Sequence, residues 1–171
     1  MALKQHETLL HAPAAPHTFT IRVQPGHTLA ADYAACRAIM QAASKNYSFA
    51  ARFLPADKLP HVEALYALMR VGDDIVDVQY QGAAARAAIE HFEAQYWRAF
   101  ETGDSGHPVL RAYLHTAHQF HLSPELMRPY FRAMIEDLSI TRFPTFADLL
   151  HYMDGSAIPV GRAMAHILGA D

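Results

Sequence analysis

Three carboxylates fall within five residues at Asp73, Asp74 and Asp77, and Tyr66 and Arg70 precede them in the same stretch. On an α-helix, positions 66, 70, 73 and 77 stand on one face. Like charges one turn apart cost a helix roughly 0.2–0.5 kcal/mol per pair, so such a ridge calls for a positive guest. The donors define that guest. Mg²⁺ is hard, prefers oxygen, and is held by one or two carboxylates together with waters and substrate phosphates. Asp73 and Asp77 are the candidate metal ligands, and Arg70 is spaced to give charge-assisted hydrogen bonds to a diphosphate. A solvated helix face also looks acidic. Against that reading stand Leu65, Ala67, Leu68, Met69, Val71, Ile75 and Val76, which leave the stripe as nearly the whole polar surface of this helix. The pattern therefore predicts a cavity beside the acids.

The elements that must position this ridge are helical almost throughout. Apolar periodicity predicts helices over 29–51, 58–79, 83–102, 107–121, 124–138 and 145–168. Pro55, Pro60, Gly82, the stretch from Gly103 to Pro108, Ser123-Pro124 and Pro144 punctuate them. Residues 1–28 are rich in His, Pro and Thr, with a short alternation at Phe19, Ile21 and Val23, and read as an extended or disordered segment. Six helices and no confident strand make the class all-α, with 29–171 forming one helical domain and a packed bundle as its architecture.

Composition excludes several function classes. A chain of 171 residues, 51% hydrophobic and 18% charged with a net charge of −3, suits one globular domain with a sizeable core. No basic run or basic–aromatic interleaving points to nucleic acid. One cysteine, Cys36, excludes an internal disulfide framework and fits a reducing cytosol. No run of about 18 apolar residues marks a membrane span, so any membrane contact would be peripheral. His115, His118 and His121 recur every three residues and read as a solvated face rather than a transition-metal site.

Four ordered stretches carry a family resemblance. Ser44-Lys45-Asn46-Tyr47-Ser48-Phe49 through Pro55, and Ala64-Leu65-Tyr66 through Asp77, resemble the squalene/phytoene synthases, as do Met134-Ile135-Glu136-Asp137-Leu138 and Tyr152-Met153-Asp154-Gly155-Ser156-Ala157 with Val160-Gly161. The likeness runs from about residue 36 to 170. It implies an isoprenoid synthase-type helical bundle and head-to-head condensation of two prenyl diphosphates in two Mg²⁺-dependent steps. Asp73 and Asp77 then match the metal-binding aspartates, with Asp74 in support. Tyr66 and Arg70 match catalytic positions facing the diphosphate and the reacting centre, and Tyr152 a tyrosine of the central cavity. Ser44 and Asp137 match substrate-binding positions. Gly155-Ser156-Ala157 and Ile140-Thr141-Arg142-Phe143 lean toward bacterial phytoene synthases, hence geranylgeranyl diphosphate as substrate and phytoene as product.

Departures from the family pattern are mild at Asn46, Tyr47 and Val78. One is larger: the family's second aspartate-rich motif has no counterpart after Gly161, so the resemblance implies a bundle incomplete at its C-terminus and only one wall of the metal site. The expectation that follows is a truncated or split enzyme, weak or inactive alone, associating with a complementary C-terminal chain or with itself. The alternative is a non-catalytic helical subunit that binds prenyl diphosphate or a partner synthase. A cytoplasmic location, with peripheral membrane contact, completes the expectation.

Overall fold

The computed structural model describes residues 28–140 and 142–170; the expected extended segment before Thr28 and the strand-like alternation at Phe19, Ile21 and Val23 lie outside them. Helix α1 (Leu29–Ala43) starts at Thr28, whose hydroxyl accepts a hydrogen bond from the Ala31 N–H at 3.2 Å. The predicted helix over 29–51 is broken at Ser44. There the backbone is extended and the hydroxyl accepts from the Tyr47 N–H, capping a second helix, α2 (Lys45–Ala51). Serine competes with the helical ladder for backbone donors, and here it wins.

Helix α3 (Leu59–Asp74) has Pro60 in its first turn, where the missing N–H costs nothing. The rest of the predicted 58–79 helix is not α-helical. Ile75–Gln79 form a π-helical segment that ends at the extended Tyr80. Helices α4 (Gly82–Thr102), α5 (Pro108–Gln119) and α6 (Arg128–Asp137) follow, with a 3-10 turn at Pro124–Met127 before α6. The predicted 145–168 helix is two helices, α7 (Phe146–Ser156) and α8 (Ile158–Leu168). Pro159 explains the break, since its ring and missing N–H are incompatible with a ladder bond to Gly155. Thr145 and Asp148 close a capping box at the start of α7.

Helix α3 is the central post. Val62, Ala64, Leu65, Ala67 and Leu68 are 5% exposed or less, and the helix packs against α1, α5, α6 and α8. An aromatic layer of Phe92, Tyr96, Tyr130 and Phe131 joins α4 to α6. Asp32 of α1 and Arg111 of α5 form a bidentate ion pair at 2.6 and 2.9 Å, 2% and 1% exposed, and Arg111 also donates to the Ser105 carbonyl at 2.7 Å. Helices α6 and α7 approach closely because residue 155 is glycine: a Cβ there would lie 2.9 Å from the Ala133 Cβ and 3.1 Å from the Pro129 carbonyl oxygen. That approach brings Tyr152 over Asp137. Among the described residues no strand occurs, and no helix is long and apolar enough to cross a membrane.

Candidate functional site

The acidic ridge sits where α3 loosens into its π segment. In an α-helix Asp77 repeats the face of Asp73 one turn on, and across the wider π turn the two carboxyls still act on each other. Asp73 is half-buried and Asp77 is exposed. Arg70 pairs with Asp74 at 2.5 Å, one turn ahead, and this hydrogen bond holds its guanidinium charged even more firmly than usual. Asp74 thus serves the site through Arg70, and a diphosphate reaching Arg70 would compete with that pairing.

Asp73 meets mostly its own kind. Burial, then the charges of Asp77 and Asp74, push its carboxyl up to about 6 despite Arg70 and Tyr130. From α6, Asp137 is raised by burial and by Asp77, with the Tyr152 hydroxyl of α7 opposing the rise. Tyr152 is itself raised by burial and by Asp137, with Asp73 adding to the effect, while its ring lies 5.1 Å from that of Phe143. Asp73, Asp77, Asp137 and Tyr152 therefore share one neighbourhood although 79 positions separate its ends.

Tyr66 and Ser44 lie along the adjoining side. The Tyr66 ring packs 5.7 Å from that of Tyr47 in α2, and Tyr66 acts electrostatically on Arg70. Ser44 is occupied as the cap of α2, and its own hydroxyl proton is left for a ligand. Two residues of this neighbourhood escaped the sequence reading. Tyr47 is 64% exposed beside Tyr66, and Tyr130 is buried against α3. Tyr130 precedes Asp137 by seven residues, a spacing that places both on one face of α6 and was visible in the sequence.

The donor set is all oxygen, which suits Mg²⁺ and not a softer transition metal. Among the described residues no three His, Cys, Asp or Glu side chains close into a ready-made metal cage. Two carboxylates that repel each other across an open edge match the way Mg²⁺ is shared between protein and phosphate. Cavities of about 680 and 800 Å³ lie away from the acids, one around Arg98 and His107, the other between α1 and α2 around Arg37 and Arg52. Asp77 is exposed on an edge it shares with Val78 and Tyr80, whereas Asp73 is half-buried.

The three histidines of α5 do not converge. His115 Nδ1 lies 2.7 Å from the Tyr33 hydroxyl in a half-buried network, which corrects the solvated-face reading for that residue. His118 is exposed, and His121 sits beyond the helix with φ 53.

A family model described as squalene/phytoene synthase matches residues 40–171. The phytoene synthase of Pseudescherichia vulneris is 29% identical over 134 residues, covering 74% of this chain and 43% of that protein. The 4,4′-diapophytoene synthase of Staphylococcus haemolyticus is 31% identical over 147 residues, 82% of this chain and 50% of the other. Among solved structures, squalene synthase HpnC from Alicyclobacillus acidocaldarius superposes with a TM-score of 0.75 at 30% identity, over 84% of this chain and 53% of that one. A dehydrosqualene synthase in complex with ligand gives 0.73 at 25% identity, over 81% and 48%. The chain thus spans about half the length of the relatives it matches.

Proposed function

The chain belongs to the squalene/phytoene synthase family, and on that premise we propose that it supplies the Asp73–Asp77 wall of a head-to-head prenyl transferase, with geranylgeranyl diphosphate as substrate and phytoene as product. What supports this reading is that Asp77, on the π turn, acts electrostatically on both Asp73 of α3 and Asp137 of α6, with Arg70 beside Asp73, although no three of these side chains close into a cage. Asp77 raises both neighbours, an arrangement that a bound cation relieves.

In this reading Asp73 and Asp77 hold Mg²⁺ as ligands, and Asp137 stays close as an acceptor for the Tyr152 hydroxyl. Mg²⁺, when bound, supplies Lewis-acid neutralisation of the departing diphosphate. Arg70 adds hydrogen bonds to the same leaving group once it exchanges its contact with Asp74. The first condensation breaks the allylic C–O bond of one substrate. The double bond of the second substrate then captures the cation, a proton is lost, and a cyclopropyl-carbinyl diphosphate results; its own ionisation and rearrangement follow. Tyr66 and Tyr152 line the path of the cation, with Tyr47 beside Tyr66. The Ser44 hydroxyl donates to a diphosphate oxygen from the start of α2.

A second reading is a helical subunit that binds prenyl diphosphate without turnover. The exposure of Asp77 favours it. Consumption of geranylgeranyl and farnesyl diphosphate with Mg²⁺ separates the two. Turnover, by the chain alone or joined to the C-terminal half of a relative, supports the enzyme. Binding without turnover in both forms supports the subunit. Asp73→Asn should remove the Mg²⁺-dependent signal in either case, and an unchanged signal refutes the metal assignment.

A further inference from the structure

Gly72 stands in the last turn of α3, just before the π segment continues the helical path, where glycine costs about 1 kcal/mol relative to alanine. Its surroundings explain it. The Tyr130 ring from α6 crosses directly over residue 72, so a Cβ there would collide with the Tyr130 hydroxyl and lie 3.1 and 3.3 Å from Cζ and Cε1. Only 2% of Tyr130 is exposed, and its hydroxyl donates to the Met69 carbonyl at 2.9 Å. The same hydroxyl acts electrostatically on the Asp73 carboxyl beside it. One phenol therefore grips a single turn at two points, the carbonyl at 69 and the bare backbone at 72, next to the Asp73 carboxyl.

We propose that Tyr130 is a positioning residue for Asp73, seated by Gly72, which fixes the carboxylate in the orientation that receives Mg²⁺ and diphosphate. The inference rests on the metal role of Asp73 proposed above. Its physical content is an asymmetry between the two ligands. The turn that carries Asp73 is anchored on a buried neighbour, whereas Asp77 stands exposed on the π turn and adapts to what binds. Residues that orient a metal ligand typically change affinity by 10-fold or more when removed, even though they never touch the metal.

The test measures binding of Mn²⁺, an electron-spin-resonance probe for the Mg²⁺ site, to the whole chain in the presence of inorganic diphosphate. Tyr130→Phe keeps the ring over Gly72 and removes only the hydroxyl, and it should weaken Mn²⁺ binding about tenfold. The matched control is Tyr96→Phe, which removes another buried hydroxyl, one that donates to the Pro124 carbonyl at 2.9 Å away from the acids. Both variants lose stability, and the affinity loss should follow Tyr130 alone. Gly72→Ala, which pushes the ring aside, should reproduce the affinity loss independently. Equal Mn²⁺ affinity in Tyr130→Phe, Tyr96→Phe and the unaltered chain, with Asp73→Asn abolishing binding, overturns the positioning role and leaves the metal site standing. Binding that survives Asp73→Asn, or no saturable binding by the unaltered chain, overturns both.

Discussion

At its N-terminal end α3 carries the buried His61 and Glu63, and each meets a partner from a neighbouring helix; at its C-terminal end it carries Asp73, and the charges that raise it are those of Asp77 and Asp74. Glu63 accepts from Arg37 Nε at 3.0 and 3.1 Å. His61 enters a network with α1 and α5. Thr116 gives its hydroxyl proton to the Ala112 carbonyl at 3.0 Å, so toward His61 it is an acceptor, and His61 Nδ1 donates to it at 2.9 Å. The Tyr33 hydroxyl lies 3.0 Å from the same nitrogen, 3.1 Å from Thr116 Oγ1 and 2.7 Å from His115 Nδ1. One end of the post is electrostatically closed without any ligand, and the other is closed only by something added. Stability and ligand affinity should therefore respond to mutation at separate places.

The largest expected break lies in the closed region. Asp32→Asn leaves Arg111 charged and buried with half its partnership gone, and should cost about 3–5 kcal/mol in a urea titration. The same variant, while folded, should bind Mg²⁺ and diphosphate as the unaltered chain does. A parallel fall in both quantities would show that the two regions are coupled. Next in size is Thr116→Val, which removes the acceptor of His61 and should cost roughly 1–3 kcal/mol by leaving a buried donor short of a partner.

Acid tests the same network with a defined sign. Burial pushes His61 down to about 4, with His115 and Lys58 adding to the effect and Asp57 opposing it. His115 is lowered by burial and by His118. A depressed histidine contributes stability that is complete above its ordinary value of about 6.5 and is lost as pH falls through the folded value. Denaturant midpoints should therefore hold between pH 7.5 and 6.5 and fall between 6.5 and 4. His61→Asn, destabilised at neutral pH, should show a shallower acid slope. An unchanged slope would remove His61 from the acid response.

How much of this was legible in the sequence depends on the range of the contact. The spacing of Tyr66, Arg70 and Asp73 is a local property, and the structure keeps those three on α3. The family resemblance, drawn from ordered motifs between residues 36 and 170, agrees with the match over 40–171. The π turn was not legible, because i→i+5 pairing has no residue signature of its own. Ser44 and Pro159 broke two helices with residues whose chemistry was in plain view, but apolar periodicity ran through both and outvoted them. His115 was misread because its partner, Tyr33, lies 82 residues away. The ring that crosses Gly72 was not legible either, because it comes from α6.

The smallest expected effect on stability has the opposite sign from the others, and it is what makes the comparison sharp. Asp73 carries a folded value of about 6 against an ordinary 3.8. A raised carboxyl contributes stability that is present below the ordinary value and lost as pH rises through the folded one, so at pH 7 the ionised group works against the fold. Asp73→Asn replaces it with a neutral group of the same shape. At pH 7 without metal the variant should be more stable than the unaltered chain by roughly 1 kcal/mol, a figure discounted for the partial solvation of the side chain. At pH 4 most of that advantage should disappear. Mg²⁺ with inorganic diphosphate should then reverse the order, because only the unaltered chain gains from binding, by about 2.7 kcal/mol when the ligand stands at 100 times its Kd. Thermal unfolding of the two proteins with and without the ligand reads all of this in one experiment. If Asp73→Asn instead lowers stability in metal-free buffer, the carboxylate belongs to the closed part of the molecule, and the contrast between the two ends of α3 fails at the residue on which it most depends.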